Sequence, residues 1–224
     1  MERAFLNRAE AGQRLAERLM HYCGREGAIV LGLPRGGVPV AAEVAQRLGL
    51  PLDVFVVRKL GVPGYEELAM GAIASGNVSV LNDDVMRALP NSPALLELVK
   101  AQEKVELERR EKLYRQNRAA PDLYDRVVVL VDDGLATGAT MRAAAAALRQ
   151  QGVGKIVVAV PVGAPETCRE LEAEVDELIC AFMPDHFHGV GQFYQDFSQT
   201  TDEEVAAMLA GRAGDKGKDF RQNP

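Results

Sequence analysis

Two adjacent carboxylates, Asp132 and Asp133, follow the apolar run Val128-Val129-Leu130-Val131 and precede Gly134-Leu135-Ala136-Thr137-Gly138-Ala139-Thr140. The run reads as a buried strand, and the small Thr/Gly turn opens a helix. Ligands of open α/β sheets bind at the carboxyl edge of the strands, where these residues fall. Small residues let the backbone approach an anion, while the first N–H groups of a helix and the Thr137 and Thr140 hydroxyls can donate to phosphate. The paired acids repel phosphate and suit polyol hydroxyls or a hydrated divalent cation. A sugar phosphate satisfies both halves, with its hydroxyls over the acids and its phosphate over the turn. No Lys follows the glycine as a Walker A sequence requires, and the glycine spacing of a dinucleotide fingerprint is absent.

Strands must hold this turn. Continuous apolar runs at Ala28 to Leu31, Val54 to Val57, Val127 to Val131 and Ile156 to Val160 fit strands covered on both faces of a parallel sheet. Helical spacing marks residues 9 to 22, Val38 to Leu48, Ala139 to Gln151 and Pro165 to Ala173. Strands alternating with helices predict an α/β fold: an open, mostly parallel sheet with helices on both faces. A charged stretch near residues 91 to 118 carries i,i+4 pairs such as Glu106/Arg110 and Glu111/Arg115 and reads as a solvated helical insertion. Its apolar positions Leu95, Leu98, Val99, Val105 and Leu113 suit lying along a partner or the parent domain. Residues 1 to 210 read as one domain, and the small, charged residues 211 to 224 as a flexible tail.

Composition sets limits. A chain of 224 residues, 47% hydrophobic, is long enough for a core without metal or disulfide staples. A net charge of −6 offers no general attraction to nucleic acid or an anionic membrane, so any phosphate site is local. Cys23, Cys168 and Cys180 form no CxxC pair and read as reduced core thiols. The amino-terminal residues lack a signal-like apolar stretch, and no long apolar run occurs, so a cytoplasmic location is expected.

Residues 128 to 140 resemble the phosphoribosyl pyrophosphate (PRPP) binding motif of the type I phosphoribosyltransferases. The resemblance implies that Asp132 and Asp133 hold the ribose hydroxyls, with Mg²⁺ nearby, directly or through water, and that Ala136, Thr137, Gly138, Ala139 and Thr140 hold the 5-phosphate. Three further stretches extend it. Arg35-Gly36-Gly37 fits the loop that binds pyrophosphate. Arg58-Lys59, followed by a Gly/Pro-rich segment to Gly71, is similar to the flexible loop that closes over the active site, with Glu66 or Glu67 near the acceptor; Glu67 is the candidate acid/base. Residues 181 to 197 are similar to the acceptor hood of the 6-oxopurine enzymes, with Phe187 stacking on a base and Asp196 beside it. His186 and His188 read as surface residues, since no third metal ligand lies nearby.

The likeness is mixed. Ala136 stands where the 6-oxopurine enzymes carry an acid, whereas the Leu-Ala-Thr-Gly loop and Arg-Lys pair are closer to the adenine enzyme. The implied activity is transfer of the 5-phosphoribosyl group from PRPP to a nitrogenous base with release of pyrophosphate, by a Mg²⁺-dependent homodimer. A PRPP- or nucleotide-sensing regulator with the same fold and little catalysis is the alternative. A phosphatase or sugar-phosphate isomerase is disfavoured, because Gly134 sits where its acid/base belongs.

Overall fold

The computed structural model describes residues 4–89, 92–116 and 118–213, those at 66, 67, 212 and 213 by their backbone only. Five parallel strands form the main sheet: β1 (Ala28–Gly32), β2 (Leu52–Val54), and then, after a long intervening segment, β6 (Val127–Val131), β7 (Lys155–Val162) and β8 (Glu177–Phe182). Their order is β2-β1-β6-β7-β8. The direction of winding reverses between β1 and β6, which opens a crevice beyond the carboxyl ends of those two strands. Register aligns Gly32 with Val131 and Val131 with Ala159, so the loops after β1 and β6 leave the sheet side by side.

Every residue of β1 is buried, as expected of a strand covered on both faces. Val30, Val129, Val131 and Val157 pack toward α1 (Arg8–Arg18), α2 (Gly37–Leu48) and α7 (Asp202–Ala213). Ile29, Leu31, Val128, Leu130 and Val158 pack on the other face, toward α5 (Ala139–Gln150) and α6 (Pro165–Glu172). Asn7 caps α1: its side chain accepts the Glu10 N–H, and Glu10 in turn accepts the Leu6 N–H.

Several expectations are corrected. The run from Val54 to Val57 is not one strand. The chain leaves the parallel sheet after β2 and enters β3 (Val57–Val62), part of a separate antiparallel sheet with β4 (Tyr65–Ala74) and β5 (Val78–Leu81). The Gly/Pro-rich segment read as a flexible loop is therefore the β3–β4 hairpin, turning at Pro63 and Gly64. A short helix α3 (Asp83–Ala88) leads to α4 (Ser92–Arg115), the expected insertion. It lies along the parent domain and belongs to the core: Leu96, Val99, Leu107 and Tyr114 are buried in the same cluster as Val30 and Val129. Leu98, Val105 and Leu113 face outward.

Buried charge and hydroxyl groups fix the carboxyl end of α4. Arg115 donates to Asp53 at 3.1 Å, to Glu111 at 2.9 Å and to the Val54 carbonyl at 3.0 Å, and the Tyr114 hydroxyl donates to Asp202 at 2.6 Å. Helix α7 continues to Ala213, so residues 211–213 are helical rather than part of a tail; residues 214–224 lie outside the described residues. Cys23 is exposed and is no core thiol, whereas Cys168 and Cys180 are buried. Among the described residues no helix is long and apolar enough to cross a membrane.

Candidate active site

The loop after β1 and the acids after β6 touch. A Cβ on Gly36 would overlap Asp133 Oδ2, and one on Gly37 would lie 2.7 Å from the Val131 carbonyl oxygen and 2.9 Å from Asp132 Oδ1. Only glycine lets these backbones meet, which explains the Gly-Gly pair after Arg35. Asp132 Oδ1 accepts the Asp133 N–H at 2.8 Å. Burial raises the Asp132 carboxyl well above the usual carboxylate range, and the neighbouring Asp133 charge raises it further. Burial also raises Asp133, opposed by the guanidinium of Arg8.

Arg8 and the Tyr194 hydroxyl are the parts that sequence reasoning missed. The Arg8 Nε and a terminal guanidinium nitrogen both lie 2.8 Å from Asp133 Oδ2, leaving Oδ1 without a donor from Arg8. The same guanidinium donates to the Ser198 carbonyl at 2.7 Å and covers the Phe197 ring at 4.0 Å. Tyr194, buried, donates its hydroxyl to the Asp133 carbonyl at 2.6 Å, and burial raises its pKa. The amino-terminal segment closes this corner: Phe5 N–H donates to the Phe193 carbonyl, Gln195 N–H to Phe5 and Asp196 N–H to Leu6. The Asn7/Glu10 capping signal was the one feature that could have placed Arg8 in a helix's first turn.

The turn after the acids is an open set of donors. Gly138, at φ +75°, caps α5 in the left-handed region. The loop's carbonyls are engaged: Ala136 accepts the Thr167 hydroxyl at 2.6 Å, Thr137 accepts Arg142 at 3.1 Å, and Gly138 accepts the Arg142 N–H at 2.8 Å. Among the described residues, the N–H groups of Ala136, Thr137, Gly138, Ala139 and Thr140 and the two Thr hydroxyls make no hydrogen bond to protein. Ala136, Thr137, Ala139 and Thr140 are exposed. This arrangement can receive a phosphate.

The other expected residues divide. Lys59 lines a cavity of about 380 Å³ with Ala139, Thr140 and Arg142, next to the phosphate turn. Arg58, one residue earlier on β3, turns to α4 and pairs with Glu103 at 2.6 Å. Neither Lys59 nor Arg35 has an ion-pair partner among the described residues, so both cations are available to an anion. The backbone of Glu67 is in β4, but its side chain lies outside the described part. Phe187 is half-buried and stacks on Phe193, with centroids 5.6 Å apart, so one face is already occupied by protein. Asp196 sits in an exposed turn and accepts the Ser198 N–H at 2.9 Å, which lowers its pKa. No cluster of three or more His, Cys, Asp or Glu residues able to hold a metal occurs among the described residues.

An acid pair at the switch point, a glycine loop pressed against it and an open phosphate turn are the marks of a phosphoribosyl transferase. The family model for the phosphoribosyl transferase domain matches residues 4–198, and the chain belongs to that family. Proteins from two strains of Mycobacterium tuberculosis, provisionally named phosphoribosyl transferases, are each 48% identical over 205 residues, which cover 92% of this chain and 46% of theirs. The chain thus spans about half the length of these curated relatives. The crystal structure of TT1426 from Thermus thermophilus superposes with a TM-score of 0.83 at 45% identity, covering 96% of this chain and all of that one. AQ2163 from Aquifex aeolicus, at 13% identity, a TM-score of 0.50 and coverage of 82% of this chain and 76% of that one, shares the fold.

Proposed function

We propose that the protein transfers the 5-phosphoribosyl group of PRPP to the nitrogen of a base, releasing pyrophosphate. The observation that carries this reading is the set of unbonded N–H and hydroxyl donors at residues 136 to 140, one turn away from two half-buried acids. In the reaction the C1–O bond to pyrophosphate breaks as a C1–N bond forms, and the sugar carbon passes through a cationic state. Asp132 and Asp133 accept the ribose hydroxyls and place negative charge beneath that carbon. Asp132 Oδ2 and Asp133 Oδ1 are the oxygens assigned to this task, because Asp132 Oδ1 accepts the Asp133 N–H and Asp133 Oδ2 pairs with Arg8. Arg35, the Gly36–Gly37 amides and Lys59 offset the charge of the departing pyrophosphate. Val190, whose side chain packs on Gly134 next to the acids, and Phe187 supply the apolar wall for a base.

Hard carboxylate oxygens without a third protein ligand suit Mg²⁺, which is held by one or two carboxylates together with substrate oxygens and water. Asp132 and Asp133 would hold it. Bound there with the substrate, the ion would supply further charge neutralisation for the pyrophosphate.

The test is pyrophosphate release from PRPP and Mg²⁺ across a panel of purine and pyrimidine bases. Release dependent on one base supports the reading and identifies the acceptor. Failure of PRPP to bind, judged by calorimetry, overturns it. Ala136 and the occupation of Asp133 by Arg8 favour a second reading, a PRPP sensor with little catalysis; binding without release by any base would select it.

A further inference from the structure

On the far side of the phosphate turn, Cys168 of α6 and Cys180 of β8 converge on Gly163. A side chain at Gly163 has no room: a Cβ there would overlap Cys168 Sγ and lie 3.2 Å from Cys180 Sγ. The Cys180 S–H donates to the Phe182 carbonyl at 3.2 Å. Both cysteines line a cavity of about 380 Å³ that also touches Arg18, His21, Arg169 and Glu172. Neither thiol takes part in the proposed transfer. We propose that Cys168 and Cys180 form an oxidisable dithiol site whose substrate is a small hydroperoxide entering through this cavity.

The two sulfurs have distinct roles. The Phe182 carbonyl holds the proton on Cys180, and Cys168, in the first turns of α6, supplies the thiolate. The neighbouring Cys180 lowers the Cys168 pKa, whereas Cys168 and burial raise that of Cys180. Thiolate sulfur attacks one peroxide oxygen, the O–O bond breaks, and Cys168 becomes a sulfenic acid as the alcohol or water leaves with a proton. Cys180 sulfur then attacks the Cys168 sulfur, a disulfide forms and water departs. Two thiol hydrogens and two electrons have passed to the peroxide. The Phe182 carbonyl loses no essential donor, because it also accepts the Gly163 N–H at 3.1 Å. The new bond would tie α6 to β8 one residue from Thr167, whose hydroxyl holds the Ala136 carbonyl of the phosphate turn.

The test uses the full chain, reduced, treated with graded hydrogen peroxide, alkylated and digested without reduction before mass spectrometry. The expected product is a Cys168–Cys180 linked peptide, reversed by dithiothreitol and formed at about tenfold less peroxide than oxidation of the exposed Cys23. In Cys180→Ala, dimedone should label Cys168 as its sulfenic acid. Linkage through Cys23, or oxidation of Cys23 while Cys168 and Cys180 remain fully alkylatable after unfolding, would overturn the proposal. Because the readout is covalent chemistry in the unsubstituted protein, it is independent of phosphoribosyl transfer.

Discussion

Removing Arg8 should cost more than its place near the amino terminus suggests. The Arg8 and Asp133 side chains are 12% and 15% exposed, so this is close to a buried ion pair. Losing one partner of a buried pair costs roughly 3–5 kcal/mol, chiefly because the other charge remains uncompensated. Residual exposure places Arg8→Gln at the low end, about 3 kcal/mol, which for a chain of this size lowers Tm by roughly 6–12 °C. Arg8 also donates to Ser198 and covers Phe197, so one substitution cannot apportion the loss. A double-mutant cycle with Asp133→Asn can, because the Ser198 and Phe197 contacts persist in both backgrounds. Urea unfolding at pH 7 should give a coupling of about 2 kcal/mol for the two charge-assisted bonds. Costs that add to within about 0.5 kcal/mol would refute the reasoning.

The same cycle has a pH signature. Burial already holds the Asp133 carboxyl above its unfolded value despite Arg8, and removing Arg8 must raise it further. An acid raised in the folded state carries no penalty below its unfolded pKa of about 4, where both states are protonated, and an increasing one as pH rises toward the folded pKa. The cost of Arg8→Gln should therefore shrink when unfolding is repeated near pH 4.

Four other substitutions test the site. Asp132→Asn should unfold later than the parent protein at pH 8, converge with it below about pH 4, and lose PRPP binding, because it removes a buried charge that the site needs and folding does not; a less stable variant at pH 8 would contradict that account. Gly138→Ala should cost about 1–2 kcal/mol in urea unfolding, since φ is +75° and the new Cβ would lie 2.8 Å from the Thr167 methyl, and calorimetry should show weakened binding of ribose 5-phosphate. Lys59→Ala should slow pyrophosphate release from PRPP by at least about tenfold while Arg58→Ala leaves that rate nearly unchanged and costs about 1 kcal/mol or less through its partly exposed pair with Glu103; equal losses of rate would show that both cations serve the anion.

What could be read from the chain was what the backbone encodes locally. The central strands β1, β6 and β7 announce themselves because burial on both faces demands uninterrupted apolar runs, which the edge strands β2 and β8 lack, and the phosphate turn because its donors are its own N–H groups within a few residues of the acids. Arg8 and Asp133 are 125 residues apart, and no periodicity links them; the pairing arises only when Phe5 and Leu6 bind the segment after Phe193. Helix α4 is hidden differently. Its buried face uses Leu96, Val99, Leu107 and Tyr114, spread thinly among charges because the helix crosses the edge of the core rather than lying wholly within it.

The basic pair at 58 and 59 shows what the strand adds to a reading of the residues alone. The resemblance to a closing loop treats the two adjacent cations as one pair serving one site. Once residues 57 to 62 are a strand, successive side chains must leave opposite faces. Val57 and Lys59 then face the cavity beside Thr140, while Arg58 and Leu60 face α4 and the core. The antiparallel sheet thus does more than support a hairpin: its two-residue period sorts one cation to the cavity beside the phosphate turn and the other to Glu103, so a one-residue slip of β3 would exchange their places.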